Sequence, residues 1–192
     1  MKRLILVLTI FFICLPRADA CVGRILNIGC VNSSEGQVLA EMLSVIISER
    51  TGTTVNVRVY KTAQELYEAL KVKHVDILIE NTAMALQILN KQSDGNIKKA
   101  YETVKTAYEK EKGLVWLKPF GFLNRNGSGI QSYTAPVLRV EVFGDFPALP
   151  RVIDKLGGTI SDETYARLIK SVESGEKPKK VARDFLKSKK LI

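Results

Sequence analysis

The segment Val75 to Ile79 is apolar on both alternating sets of positions, apart from Asp76. A strand with that pattern has to be covered on both faces, which only a layered fold does. The surrounding sequence supplies the layers. Ile25 to Gly29 is a short β-prone run, and a helical stripe of Val38, Leu39, Met42, Leu43, Ile46 and Ile47 follows it and stops at Gly52. Val55 to Val59 alternates as a second strand, and Thr62 starts a helix carrying Leu66, Ala69 and Leu70. Strand, helix, strand, helix, strand in this order predicts an α/β fold with a small, mostly parallel sheet, right-handed crossovers and helices on both faces.

Ser34 with Gln37 reads as a capping box for the first helix. A strongly charged helix is expected from Ile97 to Lys112, with Tyr101, Val104 and Tyr108 on one face, and Leu114 to Leu117 as a fourth strand. Leu123 to Thr134 is the stretch with the weakest structural signal, containing Asn124, Asn126, Gly127 and Gly129. Val137 to Val142 reads as extended. Pro147 to Leu156, a helix opened by Ser161, and a helix starting near Pro178 complete the chain and can cover one face of the sheet.

Residues 1–20 are expected to be a signal peptide. Lys2 and Arg3 precede the apolar run Leu4 to Leu15, Pro16 breaks it, and Ala18-Asp19-Ala20 provides the small-x-small pattern for cleavage. The mature protein, 21–192, would then begin at Cys21 and be periplasmic or secreted. Its 46% apolar composition and 6 prolines exclude a mainly disordered chain.

The charge of +9 falls to about +7 once Lys2, Arg3, Arg17 and Asp19 are removed. Much of the excess lies in Lys177, Lys179, Lys180, Arg183, Lys187, Lys189 and Lys190, dispersed around an amphipathic helix without interleaved aromatics; this pattern reads as a solvated face before an anionic partner, and not as a nucleic-acid site. Cys21 and Cys30 are candidates for a disulfide in an oxidising compartment. Lipid attachment at Cys21 is the less favoured alternative, because Ala18 and Asp19 form a poor approach to a lipid-bearing cysteine. His74 is the single histidine, so no metal site is expected and none of the residues is assigned a catalytic role. Glu35 and Glu41, six apart on a helix, do not share a face. No cofactor is called for.

Binding has a clearer basis. Ligand crevices of parallel sheets lie at the carboxyl ends of the strands, and those ends carry Asn32, Ser33, Ser34 and Glu35, then Glu80 and Thr82, then Asn124. Ser33 and Ser34 also sit at a helix N-terminus. Each has a purely structural alternative: Ser34 as a cap, Glu80 as a loop carboxylate.

Four ordered stretches carry a resemblance: Ile28-Gly29-Cys30-Val31-Asn32-Ser33-Ser34-Glu35 leading into Leu39 to Leu43, Val75 to Thr82, Lys112 to Pro119, and Ala135-Pro136-Val137-Leu138-Arg139. Together, from about Arg24 to Ile192, they resemble the substrate-binding proteins of osmoprotectant ABC transporters, the glycine betaine, choline and carnitine binders. The resemblance implies one lobe of a type II periplasmic-binding-protein fold. Family members have two α/β lobes, with the ligand's quaternary ammonium in an aromatic cage between them. Here only 123–134 lies where the second lobe would be inserted.

The family pattern Asp-Leu-Tyr-Pro-Glu-Tyr-Thr-Gly falls on Asp76 to Ala83, which puts its two tyrosines on Leu78 and Asn81 and keeps Glu80 and Thr82. The pattern Gly-Phe-Asn-Asn-Thr-Tyr falls on Gly121 to Asn126, keeping Asn124 and placing Asn126 where the tyrosine belongs. The implied function is a solute-binding component with altered or weakened binding of a small zwitterionic or quaternary-amine ligand, working with an ABC permease. The alternative is a secreted interaction or structural module, including a homodimer through the former inter-lobe surface. An exposed apolar patch of Phe120, Phe122, Ile130 and Tyr133 would favour that alternative.

Overall fold

The computed structural model describes residues 25–93, 95–125 and 131–192. The expected signal peptide, Cys21 with the disulfide or lipid expected there, Asn126 and Ile130 all lie outside the described residues.

Strand β1 (Ile25–Val31) is followed by helix α1 (Ser34–Thr51), β2 (Thr54–Tyr60), α2 (Ala63–Lys71), β3 (Ile77–Asn81) and α3 (Thr82–Ile88). Then come α4 (Ile97–Lys112), β4 (Leu114–Trp116), β5 (Leu123–Arg125) and β6 (Gln131–Arg139). The chain closes with the short α5 (Val142–Asp145), α6 (Leu149–Ile153), a 3₁₀ turn, α7 (Asp162–Glu173) and α8 (Pro178–Ser188).

The strands are ordered β2-β1-β3-β6-β4. β1 pairs in parallel with β2, from Ile25 opposite Thr54 to Val31 opposite Tyr60, and in parallel with β3. β6 then enters antiparallel to β3, with Asn81 opposite Thr134, and carries both β4 and β5 antiparallel. The result is a single α/β lobe with a mixed sheet flanked by helices.

Alternation along β3 explains the two layers. Ile77 and Ile79 face the core shared with α1, while Leu78 faces the core shared with α2, α3 and α4. Helix α1 is apolar nearly all round, with Val38, Leu39, Met42, Leu43, Ile46 and Ile47 fully buried. Such a helix must be enclosed. The sheet covers one side of it, and α6, α7 and α8 cover the other through residues including Val152, Leu168, Val181, Phe185 and Leu186. Gly52 (φ 70°) ends α1 in the left-handed region, its N–H returning to the Ser48 carbonyl.

Three expectations change. The cap of α1 is Ser33, whose extended backbone lets its Oγ accept from the Gly36 N–H at 3.0 Å. Ser34 is the first helical residue, and Gln37 instead donates to the Asn32 side chain at 2.9 Å. Second, both ends of 123–134 are strand: β5 and the start of β6 pair antiparallel, Leu123 opposite Tyr133 and Arg125 opposite Gln131. Cross-strand pairing satisfies backbone groups that the Asn/Gly-rich composition had suggested would face water. For the same reason the extended piece expected at Val137 to Val142 begins earlier and ends at Arg139, with Val142 already helical. Third, Phe120 and Phe122 are fully buried in the α1 core. They do not form the exposed patch, to which Tyr133 contributes only a half-buried ring.

Candidate ligand site

β1 and β3 lie side by side and run in the same direction, so their carboxyl ends open into one crevice. Glu35 reaches it from the first turn of α1, and Glu80 from β3. Between them is a cavity of about 140 Å³ lined by Ser33, Glu35, Tyr67, Glu80, Met84 and Thr134, among others. Drug-sized ligands occupy roughly 300–1,000 Å³, so this space accepts a small headgroup. None of the described residues lining it is basic.

Glu80 is 7% exposed, and both of its oxygens are engaged. Oε2 accepts from the Tyr67 hydroxyl at 2.6 Å, and Oε1 accepts from the Asn81 N–H at 2.8 Å. The Tyr67 oxygen is 2.9 Å from the Tyr108 hydroxyl. An ionised carboxylate can only accept, so Tyr67 spends its proton on Glu80 and Tyr108 donates to Tyr67. Burial pushes the Glu80 carboxyl up to about 7; the hydrogen bonds from Tyr67 and Asn81 oppose this, and the Glu35 charge adds to it.

Glu35 is held by three elements. Asn124 Nδ2 donates to both oxygens at 3.1 and 3.0 Å, Thr134 Oγ1 to Oε1 at 3.3 Å, and the Tyr165 hydroxyl to Oε2 at 3.0 Å. The Tyr165 ring is fixed by stacking on Phe122 at 3.9 Å between centroids. Burial raises the Glu35 carboxyl above its ordinary value, against the pull of these three donors.

The other expected site residues lie around these two carboxylates as follows. Ser33 and Asn32 are engaged at the cap of α1, and Ser34 is half-buried beside them. Thr82, 2% exposed, accepts from the Tyr133 N–H at 3.2 Å and ties β6 to α3. Asn124 is half-buried and turned to Glu35 rather than lining the cavity. Leu78, on which a cage tyrosine falls by resemblance, is fully buried in the sheet, and Asn81 caps α3 by accepting from the Met84 N–H. Cys30 is a buried free thiol among the described residues, and burial raises it to about 11. His74 is exposed at the far end of β3.

Tyr67, Tyr108, Thr134 and Tyr165 had no signal as site residues. Each tyrosine fits a helical apolar stripe, and nothing in the local pattern says where its hydroxyl points.

The sequence profile for the substrate binding domain of ABC-type glycine betaine transport systems matches residues 25–137. The chain belongs to this family. Proteins of the glycine betaine substrate-binding family are non-catalytic solute binders, and the matched region contains every described residue lining the cavity. No curated protein matches the chain.

Among solved structures, one described as a glycine betaine/carnitine/choline ABC transporter aligns with a TM-score of 0.80 at 15% identity, covering 86% of this chain and 99% of the other. Apo YehZ from Escherichia coli gives 0.76 at 15% identity, covering 88% and 100%. Lactococcal OpuAC, closed on glycine betaine, gives 0.53 at 9% identity, covering 87% and 96%. At these identities the likeness concerns the fold.

Proposed function

We propose that this chain is an exported solute-binding component of an osmoprotectant-type ABC system, periplasmic or secreted, with altered and weakened ligand recognition. The observation that carries this reading is the small crevice at the carboxyl ends of β1 and β3, where Glu35 and Glu80 present carboxylates and no described lining residue is basic. Such a site favours the cationic end of a zwitterion or quaternary amine. Weakening follows from chemistry at the matched positions: Leu78 and Asn81 supply no π-face, and each cation–π contact contributes on the order of 0.5–2 kcal/mol. A single lobe also has no partner lobe to close over a bound cation and exclude water from it. In this reading 123–134 is the short connection standing where a second lobe would be inserted, and a permease is the partner.

The reading as a dimeric interaction module draws no support from the buried Phe120 and Phe122. The test is calorimetric titration of choline, carnitine and glycine betaine into the exported chain and its Glu80→Gln variant. Saturable heat that Glu80→Gln diminishes supports the proposal. Absence of saturable heat with every ligand overturns it.

A further inference from the structure

The surroundings of Glu35 are those of a bound ligand carboxylate rather than of an ordinary surface glutamate. Its two oxygens receive hydrogen bonds from an amide on β5, a hydroxyl on β6 and a phenol on α7, all at 3.0 to 3.3 Å. All three donors are neutral, and they come from positions 89, 99 and 130 residues away in sequence. Each is carried on a framework held independently of Glu35. Thr134 is 2% exposed within a paired strand, Tyr165 is stacked on Phe122, and Asn124 belongs to the β5–β6 ladder opposite Ser132. The donor set is therefore preorganised, and preorganised donors bind whichever carboxylate is presented to them.

We infer that Asn124, Thr134 and Tyr165 form a carboxylate-receiving subsite that the chain fills from within with Glu35, so that the adjoining cavity discriminates against solutes carrying a carboxylate. A zwitterion entering that cavity finds the donors already occupied and meets the carboxylates of Glu35 and Glu80. A cation without a carboxylate meets only complementary charge. The site then prefers choline-like cations to glycine betaine. This preference rests on the solute-binding reading above; the existence of the subsite does not.

The subsite is tested by emptying it. Glu35→Ala removes the internal carboxylate and leaves the three donors in place. In thermal unfolding at about pH 6, where acetate is already mostly ionised and less of the stability that Glu35 gives up with rising pH has been lost, the variant unfolds at a lower temperature than the parent. Acetate then raises its midpoint saturably, restoring roughly half of the loss, while chloride at equal ionic strength does not. The parent shows no acetate-specific shift, and adding Tyr165→Phe to Glu35→Ala diminishes the recovery. Equal responses of Glu35→Ala to acetate and chloride overturn the inference. Should the variant fail to fold on its own, refolding in acetate against chloride reads the same question: native signal recovered in acetate alone supports the subsite, and equal recovery, including none, overturns it. In the second arm, choline binds the parent chain more tightly than glycine betaine, and Glu35→Ala narrows the difference. Equal or reversed preference in the parent overturns the ligand class. If neither binds, it is the solute-binding reading that fails, and the acetate arm still decides the subsite.

Discussion

The Tyr67 hydroxyl donates to Glu80 Oε2 across 2.6 Å, with Tyr108 standing 2.9 Å behind it. This chain of hydroxyls lies on the α2 and α4 side of the sheet because Glu80 occupies the same alternating face of β3 as Leu78. It places a carboxylate inside the fold with hydrogen bonds but no ion-pair partner among the described residues. The consequences for stability and for binding both follow from that arrangement.

Glu80 should make the protein less stable as pH rises. Its carboxyl titrates near 7 in the fold and near the ordinary carboxylate value when unfolded, so the folded state binds the extra proton between those values. The stabilising contribution is fully present below the unfolded value and is lost as pH rises through about 7, by up to about 3 kcal/mol. Glu35, raised in the same direction, adds to the slope. Chemical denaturation from about pH 5 to about pH 8 should show this fall in the parent and a flatter profile in Glu80→Gln. Parallel profiles would contradict the assignment.

Tyr67→Phe removes the donor to Glu80 and leaves Tyr108 without its acceptor. The expected cost is about 1–3 kcal/mol. The Glu80 carboxyl should rise further, since a hydrogen bond to its charged form is lost. Carboxyl titration by NMR in this variant reads the second effect directly.

Arg139 and Asp76 form a further polar link in the sheet. Arg139 Nη2 donates to Asp76 Oδ1 at 2.6 Å and its Nε to the Val75 carbonyl at 3.1 Å, while Asp76 Oδ2 accepts from the Asn27 N–H at 2.8 Å. The two side chains are 15% and 11% exposed. Asp76→Ala should cost about 1–3 kcal/mol, because it leaves the Asn27 N–H without its acceptor and leaves Arg139 with Glu141, at 3.2 Å, as its ion-pair partner. A double-mutant cycle with Arg139→Ala should return a coupling of at least about 1 kcal/mol, and additivity would mean the pair contributes little.

Gly36 lies one turn into α1, where an added Cβ would come 2.5 Å from the Val31 carbonyl and 3.1 Å from Ser33 Oγ. Backbone crowds it on one side and the cap on the other. Gly36→Ala should destabilise by about 1–3 kcal/mol and displace the Ser33 cap, visible as faster amide exchange at Gly36.

The layered fold was legible because its signals are local. The double-faced pattern of Val75 to Ile79, the stripe of α1, and the α4 boundaries at Ile97 and Lys112 need no knowledge of distant residues. The antiparallel entry of β6 is different, since strand direction depends on a partner more than fifty residues away. The cap was misplaced by one residue because Ser33 and Ser34 offer the same hydroxyl, and only the backbone decides which one turns outward. At the site, strand ends placed Glu35 and Glu80 beside one crevice. They could not show that both carboxylates would be held by tyrosines from other elements, that Thr82 would accept from the Tyr133 N–H, or that Asn124 would turn to Glu35.

The proposed function stands or falls with a weakened solute site between Glu35 and Glu80. Calorimetric titration of choline into the purified protein measures it most directly. One saturable site with Kd of about a millimolar is expected, weakened further by Glu80→Gln. Binding tighter than about 1 μM would contradict the weakening, and a flat titration with every quaternary amine would contradict the site itself.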